Sequence, residues 1–401
     1  MLVKATESLL QRVLERNEPL ASHTSFETQF ADFIGGGARA FAFWKGRIAL
    51  YAILKALEIG PGDEVLLPAF TCVVVPNAVR FVGATPIYVD LPPEGYNLSP
   101  DDLLGRVTPR TKAILVQHTF GLPAAPPDIR QLPAKQQIYL IEDCAHALGV
   151  RVDGRHVGTL GHAGFFSSQW SKPFTTGLGG LAVTRHPEIA QRLAEVQDSF
   201  MLPKPEAIRR LRTQLLIYRR VYSPRLYWMA MRILRTFGAL GLFVPSSSRR
   251  DLAGKLPPDH EWLMTTFQER AGIEQLAELN GGIAHRRSLA AFYDQGLAPA
   301  GWPALQPPSE AVLLRYPLRV GNKPELLAAA RAARVELGSW FESPLHPLPL
   351  EKHAAFGCRL ADCPNAARAA RQVVNLPTHP LVSREEAARI LDFVLERARR
   401  P

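Results

Sequence analysis

The chain has 401 residues, 47% of them hydrophobic and 21% charged, with a formal net charge of +10. This is enough apolar material for a large core and two domains, and it excludes a disordered chain. Twelve Lys and Arg against two acids, Glu206 and Asp251, fall between Lys204 and Lys255, so that segment carries the whole net charge and general nucleic-acid binding is disfavoured.

The first thirty residues mix charges through apolar positions and read as an amphipathic helical segment, not a signal peptide. From Gly46, "GRIALYAILKALEIGPGD" has helical spacing and stops at Gly60-Pro61-Gly62. "EVLLP" reads as a buried strand, "TCVVVPNAVRFVGA" as a helix ending at Gly83, and "TPIYVD" as another strand. "TKAILVQ" and "QIYLIED" are nearly all apolar, as strands covered on both faces are, and "AGFFSS" and "GGLAVT" complete the set. Alternating short strands and helices predict an α/β domain over 31–203 with a doubly wound, mainly parallel sheet of seven strands. Ligand-binding residues then belong at the carboxyl ends of strands, where Asp143 and Ser167 stand.

A basic apolar insertion at 204–260 breaks the rhythm. A long connecting helix succeeds it at 261–295, interrupted or kinked at Gly281-Gly282, and a smaller α+β domain fills 296–401. There "LLRYPLRV" reads as a strand and "PELLAAARAARVEL" as a helix. The final helix starts at a Ser cap and carries three arginines in its last turn. The four cysteines form no CxxC; Cys358 and Cys363 lack a zinc-site spacing, so no metal is expected, and a reducing, cytoplasmic setting fits.

In "SSQWSKPFTTGLGG" one lysine, Lys172, stands among aromatic and small residues with no acid beside it. A lysine used as an amine nucleophile needs such a desolvated place; a surface lysine on an aromatic loop is the plainer alternative. Asp143 ends a buried strand 29 residues upstream, where a pyridoxal ring nitrogen would find an acidic partner, although an Asp can also cap the next helix. Gly46 and Arg47 open a helix whose free N–H groups suit a phosphate, and Ser167 precedes Lys172 by five residues.

The series "GDEVLLPAFT", "NAVRFVGATPIYVD", "TPRTKAILVQHTFG", "IEDCAHALG", "GRHVGTLGHAGFFSS", "SK" and "TTGLGG" resembles the DegT/DnrJ/EryC1/StrS sugar aminotransferases. These are fold-type I enzymes that use pyridoxal 5′-phosphate (PLP). The resemblance returns in "MTTFQERAGIEQLAEL" and "VVNLPTHPLVSREEA" and covers roughly three quarters of the chain. It implies that Lys172 forms the internal aldimine and shuttles the proton. It also implies that Asp143 pairs with the pyridine nitrogen, His146 lies near the ring hydroxyl, and Ser167 binds phosphate. An amino acid, expected to be glutamate, would be the donor, a keto-sugar the acceptor, and the active unit a homodimer.

The chain departs from that pattern in several places. Lys45-Gly46-Arg47 stands where much of the family has Ser-Gly-Thr, so Arg47 is expected to meet the phosphate directly. Cys72 takes the place of an aromatic residue that stacks on the cofactor. Glu261-Trp262-Leu263 stands where a neighbouring subunit often contributes a phosphate contact, and Leu178 replaces an acid in the glycine turn. The segment 204–255 admits two readings. Its run Thr236–Ser248 is too short to span a bilayer, so it lies in the plane of an anionic membrane surface, with Arg232 and Arg235 on one face, or it packs over the active-site mouth or a partner subunit. The rival functions are a PLP enzyme acting on a non-sugar ketone and a non-catalytic, membrane-associated module of the same fold.

Overall fold

The computed structural model describes residues 25–124, 138–221, 244–303 and 305–401. The N-terminal segment expected over 1–30 lies outside them up to residue 24. Ser25 then caps helix α1, Phe26–Ile34, its Oγ accepting from Thr28 N at 3.1 Å.

Seven strands form the central sheet: β1 Arg39–Phe43, β2 Glu64–Pro68, β3 Thr85–Val89, β4 Thr111–Gln117, β5 Tyr139–Asp143, β6 Ala163–Ser167 and β7 Gly180–Thr184. Their spatial order is β1-β7-β6-β5-β4-β2-β3, and β7 alone runs against its two neighbours. Strands β2 and β7 are buried at every position, which is why they read as unbroken apolar runs with no alternation. Strand β1 escaped the sequence reading. Its "RAFAF" precedes the Gly46 helix so closely that the helical period masks it.

Helices cover both faces. Helix α2, Gly46–Ala56, is apolar almost all round because it packs on β6 and β7 and also on α3, Val74–Phe81, and α4, Pro187–Asp198. The run "TCVVVPNAVRFVGA" is not helical throughout. Thr71 and Cys72 are extended and pair in parallel with Leu345 and His346, and α3 begins only at Val74. The pairing with the small domain holds Thr71 and Cys72 extended, whereas the valine run that follows enters the helix.

Helix α5, Pro205–Val221, opens the basic segment. Helix α6 then runs as one piece from Thr266 to Leu297, unbroken at Gly281-Gly282. A capping box between Thr265 and Gln268 starts it, and buried Leu279, Arg286, Leu289 and Tyr293 hold it on both sides of the glycines. These anchors outweigh the ~1 kcal/mol that each glycine costs relative to alanine. Its C-terminal half joins the small domain's strands β8, Arg315–Arg319, and β9, Val373–Pro377, and its helices α7, Lys323–Ala332, α8, Pro364–Gln372, and α9, Arg384–Arg397. Tyr293, Tyr316, Leu318, Val374 and Ile390 form the centre of that second core. Ser383 caps α9 as expected, but the helix ends at Arg397. Arg399 and Arg400 lie beyond it, the former donating its N–H to Asn322 Oδ1 at 2.8 Å.

Candidate active site

The parallel strands end on one edge of the sheet, and the residues singled out from sequence gather there. Asp143 closes β5, and Ser167 closes β6 opposite Gly180 of β7. Helix α2 starts against the same edge: a Cβ added to Gly46 would sit 3.0 Å from Ser167 Cβ, and one added to Gly180 would sit 2.4 Å from Gly46 Cα. Two bare backbones therefore let the helix N-terminus and the Ser167 hydroxyl face one spot, a ready anion seat.

Lys172 sits on the loop between β6 and β7. Ser168 Oγ and Thr176 Oγ1 are hydrogen-bonded at 2.8 Å, Ser168 N donates to Gly179 O at 3.0 Å, and Thr176 N donates to Ser168 O at 2.9 Å. Trp170 packs on Tyr218 at 5.0 Å between centroids, and Phe174 packs on Phe30 at 6.3 Å. With both flanks fixed, Lys172 Nζ lies 5.0 Å from the centroid of the Trp340 ring. Burial, reinforced by the Arg315 guanidinium, lowers its pKa to about 8, against the pull of Asp143 and Cys72. Burial likewise raises the Asp143 carboxyl to about 6, although Ala145 N donates to its Oδ1 at 2.9 Å and Lys172 and His118 act to lower it. Both groups are thus near the point of exchanging protons close to neutrality.

His146 stacks between Phe120, at 6.2 Å and 14°, and Trp340, at 5.5 Å and 20°. Its Nδ1 accepts from Phe120 N at 3.2 Å, which leaves the proton on Nε2, and burial holds the ring neutral. Beneath this edge Glu142 accepts from Gly158 N, Leu160 N and Gly161 N at 2.7–2.8 Å and meets His118 Nε2 at 3.1 Å. In the grouping of His118, Glu142 and Cys144, the first two are therefore already paired with protein groups, and Glu142 holds the 158–161 turn.

Arg47 is not at the anion seat. Its Nη1 pairs with Asp251 Oδ1 at 2.6 Å, and its Nη2 donates to Ser246 O and, at 3.2 Å, to Ser247 Oγ. Asp251 is fully buried and draws the guanidinium toward the 246–251 turn, which sequence spacing could not anticipate. Cys72 pairs in register with His346, and burial raises its thiol pKa; the flat walls near Lys172 are Trp340 and His146 instead. Trp262 takes an edge-on position against Trp44 at 5.7 Å, and Glu261 lies 3.4 Å from Lys55.

A cavity of about 1430 Å³ opens above Lys172. Lys45, Trp170, Tyr218, Asp259 and Arg315 lie on its wall, and so do residues 244–249 and the first turns of α5. The described part of the basic segment therefore forms part of the wall of this cavity. The stretch with Arg232 and Arg235, on which the in-plane membrane reading rests, lies outside the described residues. No helix among the described residues is long and apolar enough to cross a membrane.

The sequence profile of the DegT/DnrJ/EryC1/StrS aminotransferase family matches residues 10–215 and 225–395. The chain belongs to this family. A curated relative from Acidithiobacillus ferrooxidans, UDP-N-acetyl-3-dehydro-alpha-D-glucosamine 3-aminotransferase, is 30% identical over 371 residues, covering 90% of this chain and 85% of the relative. The UDP-2-acetamido-2-deoxy-3-oxo-D-glucuronate aminotransferase of Pseudomonas aeruginosa is 30% identical over 92% of this chain and 90% of its own length. Among solved structures, DesV of S. venezuelae in complex with a ketimine intermediate superposes with a TM-score of 0.71 at 29% identity, over 98% of this chain and 94% of that one.

As a DegT/DnrJ/EryC1/StrS aminotransferase, the chain is an enzyme with the α/β fold expected from its strand pattern. The family profile breaks between 215 and 225, inside the basic segment. Trp340 and Arg315, whose guanidinium lies 4.4 Å from the Trp340 centroid, are site residues that sequence reasoning missed. They sit more than 140 positions from Lys172 in the other domain, where no local motif marks them.

Proposed function

We propose that this chain is a PLP-dependent aminotransferase that moves an amino group from an amino acid, glutamate being the expected donor, to the keto group of a sugar. What carries the reading is Lys172 beside Trp340, its pKa depressed by burial, in electrostatic contact with a buried Asp143 that has no ion-pair partner among the described residues. The residues fit the cofactor: an amine, a carboxyl, the flat His146 ring and a glycine-lined anion seat gather at one edge of the sheet, and Trp340 of the small domain adds a second flat wall. Bound there, PLP supplies an electron sink for the substrate's α-carbon.

Each side chain then has a task of its own. Asp143 would hold a proton at the ring nitrogen. His146 would present its neutral Nε2–H, Gly46 and Ser167 would hold the phosphate, and Lys172 Nζ would accept and return the substrate's proton. The aromatic loop and the 244–259 segment exclude water from that transfer.

The acceptor reading draws on the relatives, whose names specify nucleotide-linked keto-sugars. The cavity supports it, since about 1430 Å³ exceeds the ~300–1,000 Å³ of ordinary small-molecule sites and leaves room for a sugar on a nucleotide or lipid carrier. A homodimer belongs to the same proposal. The test is direct: with added PLP, borohydride should bleach the visible band and label Lys172, and glutamate with a UDP-linked 3-keto-sugar should yield 2-oxoglutarate and amino-sugar in equal amounts. Labelling elsewhere, or oxo-acid release without amino-sugar, would overturn it.

A further inference from the structure

Two cations flank Gly46, and the fold gives them different partners. Arg47 does not line the Lys172 cavity but borders a small cleft with Ile48 and Val74, and its guanidinium is taken up by Asp251, Ser246 and Ser247. Lys45 lines the Lys172 cavity itself. It is the N-cap residue of α2, extended at φ −149° and ψ 155°, and its side chain makes no capping bond. Its Nζ instead meets Asp259 Oδ2 at 2.5 Å, with side-chain exposures of 6% and 15%. Asp259 comes from the end of the basic insertion and lines the same cavity.

We infer that Lys45, not Arg47, is the cation that receives the cofactor's phosphate at the start of α2, and that Asp259 stands in for that anion until it binds. The inference rests on the PLP reading above. A buried ammonium requires an anion, because desolvation alone would force it to give up its proton. The Asp259 carboxylate meets that need here. A phosphate dianion placed against the α2 amides, one residue along, offers Lys45 twice the charge and several acceptor oxygens. Asp259 then becomes a like charge close to the phosphate, so its effect on phosphate affinity is opposite to that of Lys45.

That opposition separates the proposal from a purely structural ion pair. Full-length apoprotein is titrated with PLP and with pyridoxal, which lacks the phosphate, and its melting temperature is followed with inorganic phosphate. Lys45→Ala should weaken PLP binding by about tenfold or more and abolish the phosphate-induced rise in Tm, while pyridoxal affinity stays within about twofold. Lys45→Arg should restore most of the PLP affinity. Asp259→Asn should tighten PLP and phosphate binding by a few-fold. If Lys45→Ala and Asp259→Asn both weaken PLP and pyridoxal alike, or if Lys45→Ala leaves PLP binding unchanged, the assignment is wrong. A wild type that binds phosphate through Lys45 but gains no borohydride-sensitive band would overturn the PLP reading, and the cofactor's part of this inference with it, and leave Lys45 only a phosphate ligand.

Discussion

Arg47 and Asp251 are joined at 2.6 Å in an ion pair from which solvent is almost excluded, and Ser248 donates both its N–H, at 2.6 Å, and its hydroxyl, at 2.7 Å, to the same carboxylate. The pair ties the end of the basic insertion to the helix that opens the anion seat. Removing one member leaves a buried charge without its partner, which costs roughly 3–5 kcal/mol. Asp251→Asn should therefore lower Tm by several degrees and expose the 244–259 segment to limited proteolysis. Scanning calorimetry and a timed protease digest measure both, and an unchanged melting profile would show that the pair does not hold the segment.

Lys172→Ala should abolish transamination and the borohydride-sensitive absorbance together. If the variant retains measurable turnover, proton transfer does not depend on Lys172 Nζ.

The two perturbed groups also set a pH dependence of stability. The folded pKa of Lys172, about 8, lies below its ordinary value, so from about 8 to about 10.5 the unfolded chain binds a proton that the folded chain has released. Stability of the apoprotein from this group rises across that window. Asp143 acts at lower pH: its folded pKa of about 6 lies above the ordinary value, so its contribution falls as pH rises from about 4 to 6. Lys172→Met should accordingly raise the apoprotein's Tm at pH 7, with the advantage shrinking by pH 10. A gap that does not change with pH would show that Lys172 is not held at a depressed pKa.

Glycine substitutions separate close approach from simple flexibility. Gly180→Ala would place a methyl carbon 2.4 Å from Gly46 Cα, pushing α2 off the sheet, and should cost both stability and PLP retention. Gly281 has nothing within 4 Å of an added Cβ, so Gly281→Ala should stabilise the long helix by about 1 kcal/mol. Paired denaturant melts would show opposite signs; equal signs would contradict the packing described for α2.

Much of the large domain was legible from residue order. "EVLLP" and "TKAILVQ" coincide with β2 and β4, because strands buried on both faces leave an apolar signature that does not depend on distant partners. Asp143, Ser167 and Lys172 drew notice for a related reason, since each stands at a strand end or on the turn after one; His146 was singled out only through the family resemblance. Cys72 was misplaced on a helix, since its extended state depends on a strand 273 residues later.

Local patterning thus established the alternating α/β order and the strand ends at which Asp143 and Ser167 stand, and it marked Lys172 as an isolated lysine. Those features arise from periodicity and burial within about ten residues. The partners of Lys45 and Arg47, the Trp340 wall beside Lys172 and the place of the basic segment on the cavity wall emerged only in three dimensions. Such contacts join charges and rings more than 150 positions apart, and burial decides among several equally charged candidates that linear spacing leaves equivalent.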